Sequence, residues 1–380
     1  MLHSLFFRCY LIMILVISLP GVLQAQYRYT PGYSYPDFQS ERSHELFLHV
    51  NSHNFVRNNE YSSRFIPGQT LIGYGLQPML TYYAGERLRL RGGVYLRQYS
   101  GMDQYSQVRP VLSAHLKLSP SVDIIMGGLR GHVYHRVIEP LFDPERQYLR
   151  PLETGLQFLV KRPWLWLDTW VDWEQFISEG DPFPERFTAG VSAEPSLRML
   201  PEGWDLKFPV NVIAVHRGGE ISEYPQPVET AMNSAAGIIL EKELQGSLKK
   251  AGIYGYGMTY RNLNEVGPMD INQGQATYFG MMAESRRFHY MGGYFQGHDF
   301  LALKGQGLFQ SYSPINGGNY VPTRELLTAK IGYNRLFLGK IRFSFLVETY
   351  YDISDHFLDY NAGMQIAFSP DFFLTETKFR

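Results

Sequence analysis

From residue 45 onward, apolar and polar residues alternate with a period of two along nearly the whole chain. The clearest case is 85–101, GERLRLRGGVYLRQYSG. Its odd positions are Arg87, Arg89, Arg91, Gly93, Tyr95 and Arg97, and its even positions are Leu88, Leu90, Gly92, Val94 and Leu96. A period of two puts the two sets on opposite faces of one strand. One such strand fits a soluble sheet equally well. Recurrence of the pattern, with almost no helical stretch to cover either face, predicts membrane-crossing strands with apolar side chains toward lipid and polar ones toward a lumen.

Alternation and turn chemistry place strands at 45–57, 70–83, the Arg-rich third after the turn 84–86, 108–118, 122–135, 152–161, 164–176 and 187–198. They continue at 204–216, 229–240, 251–260, 275–284, 288–296, 325–336, 341–351 and 357–368. Short turns alternate with longer polar loops at 58–69, 136–151, 178–185, 217–228, 261–274 and 297–323. That asymmetry is the layout of an outer-membrane barrel with both termini periplasmic. The fold class is therefore all-β, a transmembrane antiparallel up-and-down β-barrel of about 16 strands, with a range of 14–18. The divisions are a signal peptide 1–25, an irregular periplasmic segment 26–43, the barrel 44–368 and a tail 369–380.

Parity also assigns facing. A charge on the lipid face near mid-bilayer costs about 2–4 kcal/mol for Arg or Lys, so faces that share several charges point inward. Strands three to five turn Arg87, Arg89, Arg91, Arg97, Arg109, His115, Lys117, Arg130 and His132 to the lumen. The next two turn Glu153, Asp168, Asp172 and Glu174 inward. Either an electropositive wall beside an acidic one biases solutes by charge, or the two walls neutralise each other through salt bridges. Trp164, Trp166 and Trp173 suit an interfacial aromatic girdle, whereas Trp170 shares the lumen face and is the candidate for a solute contact. The loop 136–151 carries Glu139, Asp143, Glu145, Arg146 and Arg150 with three prolines. Three readings of it stand: an inward constriction, an ordinary surface loop, or a carboxylate site for a hard cation.

Composition changes this picture little. Tyr (27), Gly (36) and an aromatic share of 15% favour strands and turns. The formal net charge of −1 gives no case for nucleic acid. Mean hydropathy of −0.22 suits a barrel, in which only every second residue meets lipid. Arg8, an apolar run over 11–19 and Leu23-Gln24-Ala25 have the layout of a secretory signal peptide cut after Ala25. Cys9 is the only cysteine and lies before that run, so the mature chain holds no disulfide and no thiolate metal site. His44, His49 and His53 do not have the spacing of a common metal motif. No GxSxG, HExxH or P-loop pattern occurs, and no Ser, His and carboxylate set assembles on one face. The expectation is no catalytic residue, no metal, no cofactor and no enzyme.

The mature chain resembles outer-membrane β-barrel proteins of the porin type, and its Tyr-rich, cysteine-free character is similar to those of the Bacteroidota. Its last strand, 361–368 (NAGMQIAF), is similar to the barrel-assembly signal, in which Gly363 is followed at +3 and +5 by Ile366 and Phe368. It departs from that signal in being followed by 369–380. The resemblance implies insertion by the barrel-assembly machinery into the cell outer membrane. The leading expectation is a porin-like channel for passive or weakly selective diffusion of small hydrophilic solutes, in contact with outer-membrane lipids, with a homo-oligomer left open. The alternatives are a non-conducting barrel that serves structure, assembly or partner binding, and an outer-membrane lipid-modifying enzyme.

Overall fold

The computed structural model describes residues 31–32, 34–197, 201–219, 221–264, 270–315 and 318–377. One antiparallel sheet closes on itself. Its first strands are β1 (Glu45–Glu60), β2 (Gln69–Ala84), β3 (Leu88–Tyr99), β4 (Gln107–Ser119), β5 (Val122–Gly128), β6 (Thr154–Arg162), β7 (Leu165–Gln175) and β8 (Glu185–Leu197). There follow β9 (Trp204–Lys207 and Val210–Gly218), β10 (Glu229–Glu243), β11 (Leu248–Asn262), β12 (Gln273–Ser285), β13 (Phe288–His298), β14 (Thr323–Phe337), β15 (Ile341–Asp352) and β16 (Leu358–Phe368 and Asp371–Glu376). Each strand pairs with its neighbours in sequence, and β16 returns to β1, with Asn54 opposite Ile366 and His49 opposite Asp371. The result is a sixteen-stranded up-and-down barrel whose last strand closes on its first, the closure that lets strands cross a bilayer.

Two strands are interrupted by proline, which has no N–H for the ladder. At Pro209 and Pro370 the carbonyls still accept, from Gly237 N–H at 2.9 Å and Val50 N–H at 3.1 Å. This corrects the end of the barrel. Sequence parity stops it at 368, but Asp371–Glu376 continues the wall against β1. A second boundary moves the other way. The fifth strand leaves the sheet at Gly128, not at 135, because Gly127 takes a left-handed φ of +84°. A Cβ there would stand 2.2 Å from the Leu112 carbonyl oxygen. Arg130 and His132 therefore lie beyond the strand, in the loop that follows.

Burial follows the expected parity. Arg89 is fully buried while its neighbour Leu90 is exposed on the outer surface, with Leu112, Leu156, Ile253 and Met281. No helix among the described residues is long and apolar enough to span a membrane. Arg87 is an exception to the assigned facing. It sits in the turn before β3 and is exposed.

Three segments enter the lumen. The N-terminal segment runs in beside β1, where the Gly32 N–H donates to Gln147 Oε1 at 2.9 Å and the Ser34 N–H to Asn51 Oδ1 at 3.2 Å. The loop between β5 and β6 buries Ile138, Leu141, Phe142 and Tyr148. The loop between β13 and β14 buries Phe300, Leu308 and Phe309. Phe309 packs on Tyr278, Phe295 and Tyr350 of the wall. Phe142 and Lys304 join the two loops in a short parallel bridge.

Candidate functional site

The cationic group of β3–β5 meets these inserted segments. Arg89 donates from Nη1 to the Pro36 and Asp37 carbonyls at 2.8 and 3.2 Å, and its Nη2 meets His115 Nδ1 at 3.0 Å. The rings of Tyr35 and Phe38 cover Arg91 and Lys117 at 5.0 and 5.6 Å. Arg97 donates to the Tyr148 carbonyl at 3.1 Å. Arg130 reaches the Asp37 carboxylate at 3.1 Å. Backbone carbonyls and rings from the inserted segments thus hold most of these cations, while His115 meets Asp123 of β5 at 3.3 Å and His132 meets Glu153 of the acidic group at 3.2 Å.

The acidic group converges on a residue outside the assigned set. Nε2 of His135 lies 2.6 Å from Glu153 Oε2, and its Nδ1 lies 2.9 Å from Asp168 Oδ2. Its ring lies flat on Trp170, which corrects the assignment of that indole as a solute contact: Trp170 is buried, in space that Gly190 leaves open. Burial opposes a charge on His135, but the two carboxylates outweigh it and raise its pKa to about 10. Against the same burial, His135 and His132 hold Glu153 far below the usual carboxylate range. Both nitrogens of His135 are occupied, so it fixes the loop and has none left to activate a nucleophile.

The rest of that loop is pinned in the lumen. Glu139 pairs with Lys330 of β14 and accepts the Tyr350 hydroxyl at 2.5 Å. Glu145 accepts from Asn59 at 2.5 Å and lies 3.6 Å from Arg57, while Asp143 accepts the Glu145 N–H at 2.8 Å. Arg146 lies 3.8 Å from Glu174, which also binds Lys304 at 2.5 Å. Asp172 accepts the Thr154 N–H at 2.8 Å. Arg109 is exposed at the mouth that carries the longer loops, where it lines a cavity of about 250 Å³ with Arg146, Asp172 and Glu174. Among the described residues no three His, Cys, Asp or Glu side chains are arranged to hold a metal ion.

A second arrangement lies on the outside of the wall. Register sets Trp173 of β7 opposite Phe187 of β8, Phe187 opposite His216 of β9, and His216 opposite Thr230 of β10. All four have lipid-side parity, because Trp170, Thr188, Ile213 and Asn233 on the same strands are buried toward the lumen. The rings stack in sequence, Trp173 on Phe187 at 5.2 Å and Phe187 on His216 at 4.7 Å. His216 Nδ1 lies 2.9 Å from Thr230 Oγ1. Each residue is within two positions of the strand end that carries the longer loops. In outer-membrane barrels, outward aromatic residues near the strand ends form the girdle where acyl chains join lipid headgroups. An imidazole against a hydroxyl can remove its proton and direct the oxygen at an ester. Sequence parity leaves this pair hidden, since the two residues lie on different strands and meet only through the register.

Residues 38–377 match the profile of the family described as lipid A 3'-O-deacylase-type. The comparison with curated proteins finds no match. Among solved structures, OprD of Pseudomonas aeruginosa is similar with a TM-score of 0.52 at 9% identity, covering 92% of this chain and 98% of that one. OpdL of the same organism is similar with a TM-score of 0.50 at 13% identity, covering 86% and 99%. OccK2 (OpdF) from P. aeruginosa, solved in complex with glucuronate, is similar with a TM-score of 0.50 at 7% identity, covering 87% and 99%. At these identities the likeness is one of fold, and it sets the chain among outer-membrane barrels. The expectation that the chain is no enzyme is overturned by the family match, because that family is one of deacylases. The match runs from the segment before β1 to the end of β16, and the chain belongs to the lipid A 3'-O-deacylase-type family.

Proposed function

We propose that this barrel is an outer-membrane ester hydrolase that removes an acyl chain from a lipid A-type glycolipid, working from its lipid-facing wall. The observation that carries the reading is the His216–Thr230 pair at girdle depth. His216 Nδ1 takes the Thr230 hydroxyl proton as Oγ1 attacks the ester carbonyl. The tetrahedral intermediate collapses to acyl-Thr230, and the protonated imidazole returns the proton to the departing sugar oxygen. Water, deprotonated by the same nitrogen, then releases the fatty acid and restores the hydroxyl. No carboxylate orients His216 among the described residues; the stack on Phe187 fixes its ring instead.

The diffusion-channel reading draws on the OprD-type fold, which supplies a barrel of the right size. The lumen of this chain is occupied by three inserted segments, and that favours work at the wall over passage through it. The test is to incubate the purified full chain with lipid A in mixed micelles and measure released fatty acid by mass spectrometry. Release that His216→Ala abolishes supports the reading. A folded wild-type barrel that releases none, under conditions where its lipid binds, removes it.

A further inference from the structure

The wall has a notch. The first rung between β4 and β5 is Ser113 with Gly127, so the six residues Gln107–Leu112 rise above it with no strand partner on that side among the described residues. At about 3.3 Å per residue this is roughly 20 Å of strand. Across the gap the last rung of β6 with β7 is Gly155 with Asp172, and Trp173, Glu174 and Gln175 stand above it. The left-handed Gly127 that turns β5 out of the sheet is the cause. Where β5 and β6 are missing, the inserted loop supplies the floor.

The cavity of about 250 Å³ lies in this gap. Arg109 lines it from β4, Arg146 and Arg150 from the loop, and Arg186 from β8, against two carboxylates, Asp172 and Glu174. Glu174 is already bound by Lys304 and by Thr188 at 2.7 Å, and Arg150 reaches it at 3.3 Å. Arg109 and Arg186 have no ion pair among the described residues. The buried Nε atoms of Arg146 and Arg186 have no hydrogen-bond partner among them either. An excess of guanidinium groups around one concave site selects an anion, and their planar forks suit phosphate best.

We infer that the notch between β4 and β7 is a lateral port that takes the phosphomonoester-bearing sugar headgroup of an outer-leaflet glycolipid, with Arg109, Arg146, Arg150 and Arg186 on its phosphate. Two features choose a lipid over a soluble phosphosugar. The cavity opens where the wall is interrupted, and Trp173 on its rim belongs to the lipid-facing stack that ends at His216 and Thr230. From β7 to β9 is two strand spacings, about 10 Å, so one lipid can seat its phosphate in the port and an ester beside His216. That last relation rests on the hydrolase reading; the binding does not.

The test uses the full chain in nanodiscs of phosphatidylcholine doped with bis-phosphorylated lipid A or with its dephosphorylated form. Bound glycolipid is counted by native mass spectrometry. The phosphorylated form is expected to be retained about tenfold better, and Arg109→Gln with Arg186→Gln to erase that preference, a factor typical of one lost charge-assisted contact. Heat-modifiable migration checks folding, and the single change Arg150→Gln, at an arginine that is 59% exposed, gives a gentler second variant. Equal retention of both lipids, or full preference in the folded double variant, overturns the proposal. Displacement of the lipid by glucose 6-phosphate at equal concentration assigns the cavity to soluble solutes and overturns the lipid source. A wild-type chain that prefers the phosphorylated lipid but releases no fatty acid fails the hydrolase reading alone, and one that releases fatty acid while retaining both lipids equally fails this one alone.

Discussion

His135 lies flat on Trp170, with ring centroids 3.6 Å apart and 11° between the planes, while its two nitrogens bind Glu153 and Asp168. The contact closes the lumen face of β7 and ties the loop after β5 to the wall. Removing the imidazole leaves two buried carboxylates facing each other with no cation between them. Breaking a buried pair in this way costs about 3–5 kcal/mol. His135→Ala is therefore expected to release the loop, expose Trp170 to iodide quenching, and open the segment 136–151 to trypsin in a barrel that otherwise stays folded. Unchanged quenching and cleavage would show that the loop is held elsewhere.

The same contact predicts a pH dependence. The pKa of His135 is raised to about 10 in the docked loop, against an ordinary value near 6.5. A raised histidine pKa stabilises fully below the ordinary value, and the stabilisation fades as pH climbs through the raised one. The His135 share of the loop's protection from trypsin, taken as the difference between wild type and His135→Ala, should thus be flat below pH 6.5 and fall between there and about 10. Protection that increases over that interval contradicts a charged His135.

Asp143 runs in the opposite sense. Burial, and then the neighbouring Glu145 charge, push its pKa up to about 7. The docked loop prefers its neutral form, so docking loses stability as pH rises from the ordinary 3.8 toward 7 and stays at the lower level above. Asp143→Asn keeps an acceptor for the Glu145 N–H and removes the charge. It should raise the melting temperature at pH 8 and leave it unchanged at pH 3.5, as read by the heat-modifiable shift.

Much of the wall was legible in the sequence because a bilayer enforces parity. The charges on β3 could point only inward, and Arg89, Arg91 and Arg97 do. What parity could not carry is whatever crosses between elements. Gly127-Gly128 looks like strand interior until its left-handed φ ends β5, and with it went the notch and the placement of Arg130 and His132. Trp170 faces the lumen as parity says, but the histidine that covers it comes from a loop. His216 and Thr230 each sit at a strand end, and only the β9–β10 register joins them.

The inserted loop makes a prediction about conduction. Glu139 bridges to Lys330 and Tyr350, and Glu145 to Arg57 and Asn59, so excision of 136–150 removes the ties across the middle of the lumen. A sixteen-stranded wall is wide enough for water once unfilled. In planar bilayers the full chain should be closed or nearly so, and the excised variant should conduct in stable steps. Equal conductance from both would mean that solutes pass beside the loop, and the diffusion-channel reading would regain the lead.

The outer pair gives the sharpest distinction between mechanism and architecture. If Thr230 is the nucleophile, Thr230→Ala removes the attacking oxygen, while Thr230→Ser keeps it and loses only a methyl group. Proton transfer by a positioned base contributes about 10²–10⁴-fold, so His216→Ala should lower release of fatty acid by that factor. Thr230→Ala should match it, and Thr230→Ser should stay within about tenfold of wild type. Trapping gives the second readout, since a slow-turnover ester should leave a mass increment on the peptide that holds Thr230. If the pair is only a cross-strand hydrogen bond in the girdle, Thr230→Ala and His216→Ala cost folding stability of about 1 kcal/mol and leave the rate alone. A normal rate in Thr230→Ala with a lost rate in His216→Ala would instead make water the attacking group and His216 its base.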